Sequence, residues 1–442
     1  MTDQPAYSEN NIDDIEREHF IPITLKDLVS NLNSDLDLSA NHNLLFRQFC
    51  KLYIALFHAK FFDRLQGLKD NYLPFSPDRV TLALIQYSAD EIRDLQKKLI
   101  AEIQSIIQKA NYVRLNEYEL NSALSEISPY GLEVSVDFED FDEIQLYYQG
   151  LSKRTEERRD WHTLYLKPKT IDVPIYRRLF LVLKLKQVNS KLKPTSFRLN
   201  PKQYLLEQWR HLFRFNIAKG GDSSFIYLKL FKDIPRSDLE MLFPNTRIEM
   251  QRLDKVTMGV SSGGGIIGGI LAVGTKIVRA ANPTTILFSV AGFVGIIWRE
   301  VSKLISNRNR YMATLAKSLY FHNLDNNLGV LANLIEMAES EECKESILAY
   351  SFILKKGKKG CSRDELDQMV ENYLRKSYGV QIDFELGDGI RKLQEAGLLE
   401  QTSGEILKVC SLEQAVDRLD RAWDEMFVFT EGFSEKQAAD QT

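Results

Sequence analysis

Apolar residues recur at helical spacing in the first part of the chain. Leu45, Phe49, Leu52 and Leu56 follow Ser39, a residue type that caps helix N-termini. Pro74, Ser76, Pro77 and Asp78 break that pattern. Ser88 and Glu91 then have capping-box spacing ahead of Ile92, Leu95, Leu99, Ile103 and Ile106. One apolar stripe per helix predicts packing of the helices on each other, in a helical N-terminal domain over 1–130.

The period changes to two between about 131 and 255. Leu181, Leu183 and Leu185 alternate with Val182, Lys184 and Lys186, and Ile226, Leu228 and Leu230 with Tyr227, Lys229 and Phe231. Ile248 and Met250 alternate with Glu249 and Gln251. Strands with one apolar face follow, in a small, mainly antiparallel α+β sheet domain with a short helix from about Arg236 to Phe243.

Two uncharged stretches come next, Val256–Thr275 and Ala280–Trp298, each about the length that crosses a hydrocarbon core. They predict a two-helix transmembrane hairpin over 256–298, with Lys276, Arg279, Asn282 and Pro283 at its turn. Ser261, Ser262 and the glycines from Gly263 to Gly269 dilute the first stretch, so a buried glycine-rich loop followed by one span is the alternative. Gly264 and Gly268 share a helical face, as do Gly265 and Gly269. Small residues permit close backbone approach in lipid, so these faces are expected to pack on Ala291 and Gly295, or on a second copy in a homo-oligomer. Basic residues flank the hairpin (Arg247, Arg252, Lys255; Arg299, Lys303, Arg308, Arg310) more heavily than its turn. That asymmetry puts both termini in the cytoplasm.

Helical spacing returns over 299–430 and ends in a winged-helix-like pattern. Ser362 and Glu365 start one helix, which stops near Gly379; a second runs from about Phe384 to Ala396 and stops at Gly397. Leu398–Gln401 and Ile406–Val409 read as a hairpin, and Ser411 begins a closing helix before a disordered tail over 431–442. Winged helices that read DNA present a basic second helix. Here Asp383, Glu385, Asp388 and Glu395 outnumber Arg391 and Lys392, which argues for protein contact and against nucleic acid. Lys355, Lys356, Lys358 and Lys359 read as a solvated loop or an anionic-lipid contact.

Composition narrows the function classes. The net charge of −4 lacks the basic excess of an extended nucleic-acid binder. Cys50, Cys343, Cys361 and Cys410 are far apart, which suits buried thiols in a reducing compartment. The acidic first twenty residues resemble neither a secretory signal nor an organellar presequence, so a bacterial inner membrane is expected, or an organellar one if the source is eukaryotic. Gly269, Gly274, Thr275 and Lys276 approach a phosphate-loop motif, but with threonine and lysine in the wrong order and inside an apolar span. The run Asp137, Glu139, Asp140, Asp142 and Glu143 lacks calcium-loop spacing and reads as a solvated strand end. The six histidines, His58 beside Asp63 among them, form no HxxxH or HxH pair. No catalytic, cofactor or metal residues are assigned.

Phe225–Met250 (FIYLKLFKDIPRSDLEMLFPNTRIEM), the hairpin after it and Leu319–Tyr350 (LYFHNLDNNLGVLANLIEMAESEECKESILAY) resemble transmembrane protein 143 and its bacterial and plant relatives, as does REHFIPI at Arg17–Ile23. The resemblance implies a membrane protein without an assigned molecular function. The leading expectation is a membrane-anchored, non-enzymatic adaptor or sensor whose cytoplasmic parts bind other proteins. A membrane-surface enzyme with a non-contiguous site and a bilayer-perturbing effector built from the glycine-rich hairpins are the alternatives.

Overall fold

The structure is a computed structural model. It describes residues 17–36, 39–78, 87–116, 118–120, 122, 133–136, 138–159, 168–186, 224–243, 247–249, six helical positions between 295 and 317, 319–400 and 406–426. The hairpin over 256–298 lies outside the described residues apart from Gly295. Among the described residues no helix is long and apolar enough to cross a membrane.

The chain forms an α+β structure divided into two compact units. One contains Met1–Pro74, Thr81–Val113 and Leu328–Thr442; the other contains Phe75–Val80 and Arg114–Asn327. Helical stretches expected as separate domains at the two ends of the chain thus share one unit. Its elements are α1 (Leu25–Asp35), α2 (Ala40–Tyr72), α3 (Ala89–Lys109), α4 (Leu328–Lys356), α5 (Arg363–Tyr378), α6 (Leu386–Glu395) and α7 (Leu412–Glu425).

Helix α2 contacts α1, α3, α4 and α7. Its buried positions include Phe46, Phe49, Cys50, Tyr53, Leu56, Phe57, Phe61 and Leu68, which leaves no single apolar stripe. The expected stripe is therefore partly displaced: Phe49 and Leu56 are buried, but Leu45 and Leu52 are only half-buried. Phe49 stacks on Tyr350 of α4 with ring centroids 4.2 Å apart, and the Tyr350 hydroxyl donates to the Cys410 carbonyl at 3.0 Å. That one residue ties α4 to the start of α7. Ser88 and Glu91 close the expected capping box at α3. At α5 Ser362 accepts from the Glu365 N–H, but the Glu365 carboxylate pairs with Lys356, so the expected box is only half made.

In the second unit a five-stranded antiparallel sheet has the order β1-β3-β4-β5-β7, with β1 Val113–Arg114, β3 Phe141–Arg159, β4 Pro168–Leu185, β5 Ile226–Pro235 and β7 Asn323–Asn326. A separate pair joins β2 (Glu133–Ser135) to β6 (Arg247–Glu249). The alternation expected in β4 is overridden. Leu179, Phe180, Leu181, Val182 and Leu183 are all buried, so β4, paired on both edges with β3 and β5, is also buried on both faces over this stretch. The expected helix near Arg236 is a 3-10 segment, Arg236–Leu242, whose Leu239 and Leu242 are buried. Within the acidic run, Phe138–Asp140 form a 3-10 turn entering β3, where Asp142 is ion-paired to Lys184 at 3.1 Å; Asp137 lies outside the described residues. Strand β7 is followed by Asn327, whose positive φ of 51° is held by side-chain bonds. Its amide donates to Asp78 at 2.6 Å and its side-chain oxygen accepts from the Leu228 N–H.

Candidate functional site: a buried charged seam and the C-terminal helices

Helix α4 carries Glu341, Glu342, Lys344, Glu345 and Ser346 between two apolar stretches, and all five are buried. Unpaired charges in such a place cost several kcal/mol each, roughly, so each must find a partner. Glu341 and Lys344 pair with each other at 2.6 Å and together clasp one backbone residue. Glu341 accepts from the Ile21 N–H at 2.9 Å, and Lys344 donates to the Ile21 carbonyl at 2.7 Å. Asn111, at the end of α3 with φ 54°, donates both to Glu345 and to the His19 carbonyl, each at 2.8 Å. The segment around REHFIPI is thereby fastened to α4 by side chains. Glu18 also bridges Ile382 in parallel, and the His19 ring lies 3.3 Å from Glu385.

Glu342 sits between two ammonium groups. Lys109 of α3 is 3.3 Å from one carboxylate oxygen, and Lys392 of α6 contacts the other. The Lys392 ammonium also lies over Phe57 and Phe61 of α2, at 5.2 and 5.8 Å from the ring centroids. One carboxylate therefore fixes α3, α4 and α6 together beside α2. Burial, followed by repulsion from Lys109, pulls the Lys392 ammonium down to about 7. Gly389 keeps α6 close to α4 here, since a Cβ there would lie 3.2 Å from the Glu345 carbonyl oxygen, a tight contact.

Burial pushes the Glu345 carboxyl well above the ordinary range, against the lowering effect of the Asn111 hydrogen bond. Above the ordinary value of 4.5 the unfolded chain releases a proton that the folded state keeps. Stability therefore falls as pH rises from there through the raised folded value. Glu345→Gln retains an acceptor for Asn111 and carries no charge. Its urea midpoint should gain progressively on that of the unchanged protein as pH rises above the ordinary carboxyl value of 4.5. A difference that stays constant with pH would contradict this.

The C-terminal helices present a different surface. Arg391 on α6 is bound by Asp388 at 3.2 Å and Glu395 at 2.9 Å, and Lys392 faces inward. Glu371 on α5 takes Arg17 at 3.2 Å. On α7 the exposed carboxylates Glu413, Asp417, Asp420, Asp424 and Glu425 outnumber Arg418 and Arg421.

Of the residues expected to pack in the hairpin, Gly264, Gly265, Gly268, Gly269 and Ala291 lie outside the described residues. Gly295 is helical and exposed, and no described atom lies within 4 Å of a Cβ built on it. The phosphate-loop-like residues Gly269, Gly274, Thr275 and Lys276 are also outside. His58 pairs with Glu339 at 3.1 Å rather than with Asp63. All four cysteines are free and buried thiols. Among the described residues no group of three or more histidine, cysteine or carboxylate side chains could hold a metal ion.

A helical unit with a buried charged seam and an antiparallel sheet unit define the protein's class by architecture. Residues 141–329 match the model of a family described as a protein of unknown function, DUF3754. The match runs from β3 to the start of α4 and includes the apolar stretch over 256–298. No solved structure matches the chain.

Proposed function

We propose that this chain is a membrane-anchored adaptor whose cytoplasmic helical unit binds other proteins. The observation that carries the reading is the state of α6. Its two cations are already engaged, Arg391 by Asp388 and Glu395 and Lys392 by Glu342. The order from α4 through Cys361, α5, α6, Leu399 and Leu407–Val409, with bridges Cys361↔Leu407 and Leu399↔Val409, supports a winged-helix reading of this region. In a winged helix α6 would be the element offered to a DNA groove, and phosphates would meet carboxylates there. Anchoring rests on the uncharged stretches of 256–298 and on the likeness to transmembrane protein 143; the membrane proposed is a bacterial inner membrane, or an organellar one if the source is eukaryotic, with both termini cytoplasmic.

The test is purification of the full chain in neutral detergent, with identification of the proteins retained and titration against duplex DNA. A reproducible protein partner and no band shift at physiological salt are expected. Submicromolar DNA binding that weakens steeply with salt would contradict the reading.

A further inference from the structure

The C-terminal end of α4 and one face of α5 enclose a shallow groove of about 430 Å³ within the helical unit. Its floor is apolar: Phe352, Met369 and Tyr373 line it, the two rings meeting edge-on with centroids 5.3 Å apart. Its rim is basic, formed by Lys355, Lys356 and Lys376. Lys358 and Lys359 follow in the exposed turn just beyond α4.

The rim is only partly neutralised within the unit. Lys356 is paired with Glu365, and Lys355 donates only to the Asp35 carbonyl at 3.3 Å. Lys358, Lys359 and Lys376 have no carboxylate within 4.0 Å among the described residues. The Tyr373 hydroxyl, in contrast, is spent on Asp35 at 3.0 Å, which sets the ring as a fixed part of the floor. A thioether and two rings lined by Lys355 and Lys376, neither held by a carboxylate among the described residues, favour a ligand that brings an apolar side chain and carboxylates together.

We propose that this groove docks a short acidic segment of a partner protein, with an aromatic or aliphatic side chain seated on Phe352, Met369 and Tyr373. The inference rests on the adaptor reading and gives it a surface and a partner chemistry. Anionic lipid is the competing occupant, and competition by vesicles separates it from an acidic protein segment.

The experiment uses the full chain in neutral detergent and a dye-labelled peptide, Glu-Asp-Leu-Phe-Asp-Glu, followed by fluorescence anisotropy. Saturable binding is expected, weakened at least about tenfold by Lys376→Glu and by replacing the Leu-Phe pair of the peptide with Ala-Ala. Lys376 is exposed, so the variant should keep the parent's thermal midpoint, and Lys355→Glu provides a second charge reversal. Unchanged affinity in both lysine variants would overturn the proposal, as would equal affinity for the Ala-Ala peptide. Displacement of the peptide by phosphatidylglycerol vesicles but not phosphatidylcholine ones would assign the groove to lipid and overturn it too. If the lysine variants keep the native partners while losing nothing for the peptide, the groove fails and the adaptor reading stands.

Discussion

Lys344→Met should destabilise the helical unit by about 3–5 kcal/mol, measured by urea unfolding of the detergent-solubilised chain. The lysine is buried, and its ammonium holds both Glu341 and the Ile21 carbonyl. Removing it leaves the buried Glu341 carboxylate without its ammonium partner and the Ile21 carbonyl without its donor. A second substitution separates charge from packing. Glu341→Gln in the Lys344→Met background removes the stranded charge while keeping an acceptor for Ile21. The double variant should recover much of the loss, so that the two changes are strongly non-additive. Equal and additive effects would mean that the seam contributes packing volume only.

Gly360→Ala should cost on the order of 3 kcal/mol and act on the C-terminal part of the helical unit. Two independent causes combine. The glycine has φ of +67°, where an alanine is strained, and its Cβ would lie 2.5 Å from the Leu407 carbonyl oxygen. That oxygen accepts from the Cys361 N–H at 3.2 Å, and the Leu407 N–H donates back to Cys361 at 2.8 Å. The new methyl group therefore pushes apart the bridge that joins Cys361, just ahead of α5, to the 406–409 segment. Gly357→Ala is the control, since it shares a positive φ but has open space at the Cβ position. It should show the conformational strain alone. Hydrogen exchange at Cys361 and Leu407 is the local readout, and equal protection in both variants would contradict the steric part.

Much of the helical unit was legible because its helices announce their ends. Ser88 with Glu91, Ser362, Gly379, Gly397 and Ser411 all act at the termini where their residue types belong. The hairpin bridge Leu399↔Val409 also lies where the pattern put it. Strand β7 was missed for a physical reason. Its sequence, Asn323 to Asn326, is three-quarters polar and short, and it exists as an edge pairing with β5 rather than through its own propensity. The buried seam was missed because charged runs normally mark a solvated helix face. The available signal was that α4 stays apolar on both sides of Glu341–Ser346, with α4 buried around most of its circumference. The partners come from three distant places, Ile21, the end of α3 (Lys109 and Asn111) and Lys392 of α6, and no spacing rule connects them. Shared occupancy of one unit by both ends of the chain was likewise invisible to local periodicity.

Membrane anchorage through one hairpin, with both soluble ends on the cytoplasmic side, is the claim on which the adaptor account depends. Single cysteines at Thr2, Asn282 and Thr442, in a chain whose Cys50, Cys343, Cys361 and Cys410 are replaced, allow it to be read directly. The most direct measurement is labelling by a membrane-impermeant maleimide in intact spheroplasts and again after permeabilisation. The account predicts that Asn282→Cys reacts in intact spheroplasts, and that Thr2→Cys and Thr442→Cys react only after permeabilisation. Labelling of Thr2→Cys or Thr442→Cys in intact spheroplasts would contradict it, as would an Asn282→Cys that reacts only once the membrane is opened.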